Sequence, residues 1–122
     1  MITTFTLVKM QKGYDRESFY QRWCEHTRDM DLRDHPDISL NRLMLFEQAE
    51  GEQYIGSAEN HWPNRAALDA AVAWYETAEG IEHMKDLASF MDVENSPTRI
   101  VSHEVEVSDE KGIDWKYREL SQ

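Results

Sequence analysis

Apolar and polar positions change period several times along the chain, and each change marks an element. Ile2 to Met10 (ITTFTLVKM) is rich in β-branched and aromatic residues and reads as a strand. After a turn at Lys12-Gly13-Tyr14, Asp15 reads as a helix N-cap, with Glu17 in the first turn where the helix dipole favours an anion. Phe19, Trp23 and His26 follow at i, i+4 and i+7, so a helix from about Arg16 to about Asp29 turns all three inward. The polar run Met30 to Pro36 is a connection. A second strand, about Ile38 to Gln48, is apolar at four successive positions, Leu43 to Phe46, which predicts cover on both faces. Helices supply one cover. The chain is too small to supply the other, and a second copy of the sheet would serve. Glu50-Gly51-Glu52 then turns into a third strand, about Gln53 to His61, with Gly56, Ser57 and Ala58 at its centre. Three small residues there either leave volume beside the sheet or admit a close approach, and both readings stand.

Trp62-Pro63-Asn64 breaks the strand, with Asn64 as the next N-cap. Leu68, Ala71, Val72 and Tyr75 repeat at helical spacing until Glu79-Gly80 interrupts, and a second helical piece carries Ile81, Met84, Ala88 and Met91 as its apolar stripe. Beyond Asn95-Ser96-Pro97, Thr98 to Val107 alternates as a fourth strand. The order βαββαβ predicts an α+β, ferredoxin-like domain over residues 1–107: a four-stranded antiparallel sheet with its helices on one face. Residues 108–122 form a C-terminal extension whose Trp115, Tyr117 and Leu120 would dock on the domain or on a partner subunit. Two such sheets face to face would make a homodimer, the dimeric α+β barrel.

Composition narrows the partners. Thirteen basic and 24 acidic residues give a net charge of −11, with no basic stripe for nucleic acid or an anionic membrane. No apolar run reaches the roughly 18 residues of a membrane span. The N-terminus runs straight into strand-like residues without a basic, then apolar, leader pattern, so a soluble, cytoplasmic protein is expected. Cys24 is the single cysteine, which excludes an intrachain disulfide.

The candidate chemistry centres on His26. An imidazole on an aromatic helix face is either an acid–base group lining a pocket or a structural histidine bonded to a buried partner; both readings stand. His35, in a polar loop before Pro36, and His83, on the polar flank of its helix, are expected to be solvated, whereas His103 alternates with valines and faces a packed side. His61, at the end of the third strand, is a candidate to share the cleft of His26. No HExxH or comparable metal spacing, phosphate loop or Ser-His-Asp pattern is present, and no metal or cofactor is expected.

Phe19-x3-Trp23-x2-His26 after the first strand, the His61-Trp62 pair before the second helix, and Phe90-x-Asp92 ahead of the last strand with Glu104 resemble the EthD-like family of dimeric α+β barrels. The resemblance covers residues 1 to 107. It implies the ferredoxin-like fold, a homodimer and action on a small hydrophobic molecule, and it carries a catalytic histidine onto His26. Asn41-Arg42-Leu43 stands where some members have a histidine or tyrosine partner. The expected site is therefore His26 as general acid or base and His61 as second group, with Phe19, Trp23, Gly56, Ala58 and Trp62 around the substrate. The expected function is cofactor-independent acid–base catalysis of lyase, isomerase or cyclase type on an aromatic or lactone-like metabolite. The alternatives are a non-catalytic binding protein for the same kind of molecule and a cofactor-free monooxygenase.

Overall fold

A computed structural model describes residues 1–104. Strand β1 (Ile2–Val8) leads through a turn at Gly13, whose φ of 94° suits glycine, into helix α1 (Arg16–His26). The start of α1 is a capping box: Asp15 accepts from the Ser18 N–H, and the Ser18 hydroxyl reaches back to the Asp15 N–H. The chain then changes pitch. Thr27–Asp31 is π-helical, its Leu32 N–H donating to the Thr27 carbonyl five residues back, and one further α-turn, α2 (Leu32–Asp34), completes the segment. Strands β2 (Leu40–Leu45) and β3 (Gly56–Trp62), helices α3 (Arg65–Trp74) and α4 (Ala78–Ala88), and strand β4 (Thr98–Val101) follow. The sheet is antiparallel throughout, in the order β2-β3-β1-β4, and so has the predicted ferredoxin-like architecture. The predicted strand end at Val105–Val107 and the C-terminal extension lie outside the described residues.

Strand pairing fixes which side chains share a face. Val8 pairs with Gly56, Thr6 with Ala58 and Thr4 with Asn60, so these six point to one side of the sheet and Leu7, Ser57, Phe5, Glu59, Thr3 and His61 to the other. The core lies on the first side, where Val8, Phe19, Trp23, Ile55, Phe90 and Met91 pack together. Phe19 is centred 5.4 Å from Trp23 and 5.6 Å from Phe90. The small triplet divides its roles. A Cβ on Gly56 would run into the Met44 carbonyl oxygen and press on the Trp23 ring, so that glycine serves a close approach; Ala58 faces open space; Ser57 is on the far side.

Two helix readings need correction. The break between α3 and α4 falls at Tyr75–Thr77 rather than Glu79-Gly80, because the Thr77 hydroxyl caps α4 by accepting from the Gly80 N–H. Gly80 is then inside α4 and buried, its missing side chain leaving room for the Trp74 and Tyr75 backbone. This sets the phase of α4: Gly80 and His83 are buried, and Ile81, taken for the apolar stripe, is 46% exposed.

Candidate active site

Between the helices and the sheet lies a cavity of about 400 Å³, within the range of roughly 300–1,000 Å³ usual for small-molecule sites. Trp23, Trp62, Leu68 and Met84 give it apolar walls, and Ala58 contributes only a methyl group. Polar residues enter at specific points: Asn41 and Asn60, paired across β2 and β3, each carry a buried amide oxygen with no hydrogen-bond partner, and Tyr75 and Asp31 line the cavity as well, with threonines and Ser96 from the sheet side. A second groove of about 340 Å³, between the end of α1 and the β2 edge, is more open and carries Arg28 as its one charged lining residue. The first is the candidate site.

Asp31 leads from that cavity into a cluster that extends behind it. His26 and His83 are each 1% exposed, and their rings meet edge to face at 4.7 Å. His26 donates from Nδ1 to Asp86 Oδ2 at 2.7 Å, and Asp86 is in turn bound by Arg22 at 3.1 Å. His83 donates from Nδ1 to Asp34 Oδ2 at 2.8 Å, and Asp34 is held by Arg33 at 2.8 Å. Both chains end on Asp31, whose Oδ1 is 3.3 Å from His26 Nε2 and 2.9 Å from His83 Nε2. Neither Nε2 meets it on a hydrogen-bonding line, so both nitrogens are buried without a partner.

Pitch explains why Asp31 is there. Along an α-helix, residues five apart are separated by about 140° around the axis, so Asp31 would face away from His26. The π-helical turn Thr27–Asp31 brings the two together.

The electrostatics follow from these contacts. Burial alone would raise the Asp31 pKa, but its contacts with the two imidazoles outweigh burial and hold it at about 2. Arg33, then His83, keep Asp34 at about 2 against a smaller opposing effect of burial. Asp86 is lowered, burial opposing and His26 and Arg22 prevailing. His83 is raised: burial works against its charge, and Asp31 and Asp34 overcome it. Beside this cluster, His35 Nε2 lies 2.6 Å from the Tyr75 hydroxyl, among Trp62, Trp74 and His83. Burial lowers His35 and raises Tyr75.

The structure thus gathers some of the expected residues and separates others. Trp23, Ala58 and Trp62 line the cavity; Phe19 belongs to the core and Gly56 to the β2–β3 contact. His26 is buried on the inward face of α1 and reaches the cavity only through Asp31. His61 is on the opposite face of the sheet, paired with Glu59 at 2.6 Å, because a strand that turns Trp62 toward the helices must turn its neighbour away. His35 and His83, expected in solvent, are buried at 6% and 1% exposure. His103, expected on a side packed within the chain or at a dimer interface, is exposed on the single chain. Asp31 and His83 had no sequence signal at α-helical spacing; the Thr77 cap, which phases α4, is the signal that could have pointed to His83.

No family model matches the chain, and no curated protein matches its sequence. Solved structures do match its shape. SnoaB from Streptomyces nogalater, a cofactor-independent oxygenase, superposes with a TM-score of 0.60 at 9% identity, over 88% of this chain and 97% of its own. A dimeric protein of unknown function and ferredoxin-like fold from Bacteroides fragilis gives 0.57 at 12% identity, over 84% and 95%. A protein of the ethyl tert-butyl ether (EthD) family from Bacillus halodurans gives 0.55 at 16% identity, over 85% and 100%. The chain shares the ferredoxin-like fold of these structures. That likeness spans oxygenase and EthD structures alike and does not single out the EthD family. Among the described residues, no helix is long and apolar enough to cross a membrane.

Proposed function

We propose that this protein is an enzyme that oxygenates a small, largely apolar, aromatic molecule bound between the helices and the sheet. The observation that carries the reading is the cavity itself: apolar walls suited to a flat ring system, ending on a carboxylate backed by two buried histidines. The amides of Asn41 and Asn60 offer unpartnered groups to a carbonyl or hydroxyl on the substrate. The likeness to SnoaB, a cofactor-independent oxygenase, supports oxygenation over the other chemistries of this fold. With the substrate as sole reductant, one atom of dioxygen enters the product and the other leaves as water: two electrons and two protons from the substrate make the water, and the inserted oxygen takes two more electrons, four in all. An electron-rich phenol or enol meets that requirement.

A second reading, acid–base turnover of lyase or isomerase type, is favoured by the Asp86 bond, which fixes the tautomer and orientation of His26 as a positioned proton carrier would need. Dioxygen separates the two. Incubated with a panel of phenols, quinols and aromatic enols, the protein should consume oxygen in step with substrate; turnover at an equal rate under argon would replace oxygenation with the acid–base reading.

The assembly proposed with this function is a homodimer through the outer face of the sheet, where Met44 is 38% exposed on β2 and the neighbouring B. fragilis protein is described as dimeric. Light scattering at micromolar concentration should return twice the chain mass of 14.4 kDa, and a monomeric mass would refute it.

A further inference from the structure

The two relays that converge on Asp31 leave an unusual balance of lone pairs. Each Nδ1 faces a carboxylate oxygen, so each donates its proton there, and a neutral imidazole then carries a bare lone pair on Nε2. Both Nε2 atoms are buried without a hydrogen-bond partner, and Asp31 Oδ1 lies 3.3 Å from that of His26 and 2.9 Å from that of His83. Three candidate ligand atoms, one from each of His26, His83 and Asp31, therefore lie within 4.8 Å of one another.

We propose that His26, His83 and Asp31 hold a divalent first-row transition metal ion through the two Nε2 atoms and a carboxylate oxygen. Metal–ligand distances of about 2.0–2.2 Å put adjacent ligand atoms about 3 Å apart, and Asp31 Oδ1 stands 2.9 and 3.3 Å from the two nitrogens. Carboxylates on the far ring nitrogens are the usual outer shell of metal-bound histidine, where they fix the tautomer and raise the basicity of the ligating nitrogen. Two imidazoles and one carboxylate suit zinc, iron(II) or manganese and leave coordination positions open. Asp31, the ligand on the cavity wall, places an open position within reach of a bound molecule. The inference concerns the ion alone and goes beyond the oxygenase reading; it stands or falls without any substrate.

The test is binding of cobalt(II) to the full chain after removal of metal with a chelator. Uptake of one ion per chain is expected, with visible absorption bands of a four- or five-coordinate site, displacement by zinc, and a melting temperature that rises with added ion. Asp31→Asn and His83→Gln, both close in shape to the native side chains, should each weaken uptake by about 10-fold or more, while their circular dichroism stays native. His61→Gln, on the opposite face of the sheet, should bind as the parent does. Absence of stoichiometric uptake by the folded parent would overturn the proposal, as would unchanged uptake in both site variants. Because the readout is the ion, a failed search for an oxygenase substrate leaves this result untouched.

Discussion

Phe90→Ala should cost about 3–5 kcal/mol of stability, the range for removing a fully buried aromatic side chain. Phe90 has no exposed surface and sits at the junction of core and candidate site. Its ring centre is 5.6 Å from that of Phe19 and 5.6 Å from that of His26, which it meets edge to face, with the Arg22 guanidinium over it at 4.8 Å. Truncation leaves a void that its neighbours cannot readily fill, since α1 and α4 are both tied to the site by the His26–Asp86 bond. Urea denaturation should show a midpoint moved to lower concentration with an unchanged slope. A loss below about 1 kcal/mol would mean that the helices re-pack freely, and would remove the reason to regard the His26 side of the cluster as rigid.

Ala58→Phe should weaken binding of any cavity ligand by about 30- to 100-fold, equivalent to roughly 2–3 kcal/mol. The position is chosen by register: Ala58 pairs with Thr6 and Leu43 at the middle of the sheet and points into the open volume. A benzyl group there takes the place of a flat substrate ring between Trp23 and Trp62. Because the space is already open, the cost of about 1–3 kcal/mol that attends insertion into a closed core is largely avoided. Stability should therefore hold while affinity collapses. Calorimetry with the best ligand of the phenol and quinol panel measures the effect, and undiminished affinity in the folded variant would place the substrate elsewhere, with the more open groove beside α1 the next candidate.

Local periodicity made the architecture legible. The i, i+4, i+7 set of Phe19, Trp23 and His26 is buried as the spacing requires, and Asp15 and Asn64 cap the helices they were expected to cap. The candidate site was legible only in part, for three physical reasons. The stripe of Ile81, Met84, Ala88 and Met91 puts His83 on a polar flank, but α4 starts at the Thr77 cap with Gly80 in close backbone contact inside it, and that phase buries His83 and exposes Ile81. His35 was assigned to solvent because it precedes Pro36 in a polar run; Tyr75, forty residues on, holds it among aromatic rings, and no local pattern encodes that contact. Asp31 escaped notice because counting in α-helical steps from His26 points to Asp29 and Met30. His61 and Trp62 could not both serve the cleft, and strand alternation alone left open which of them did until the β1–β3 register decided it.

The change of pitch after His26 also bears on where the same trio would be found in other chains. A π-turn amounts to one residue inserted into an α-helix. A related chain without that insertion would carry an unbroken helix there and present its fourth residue after the histidine, the counterpart of Met30, where Asp31 now stands. Laid side by side without a gap, two such sequences would seem to have exchanged a carboxylate for an apolar residue, when only the count between them differs. The acidic residue to look for is the fifth after the helix histidine where the π-turn is present and the fourth where it is absent, and the insertion shifts Asp34 and His35 into phase with α4 and Tyr75 as well.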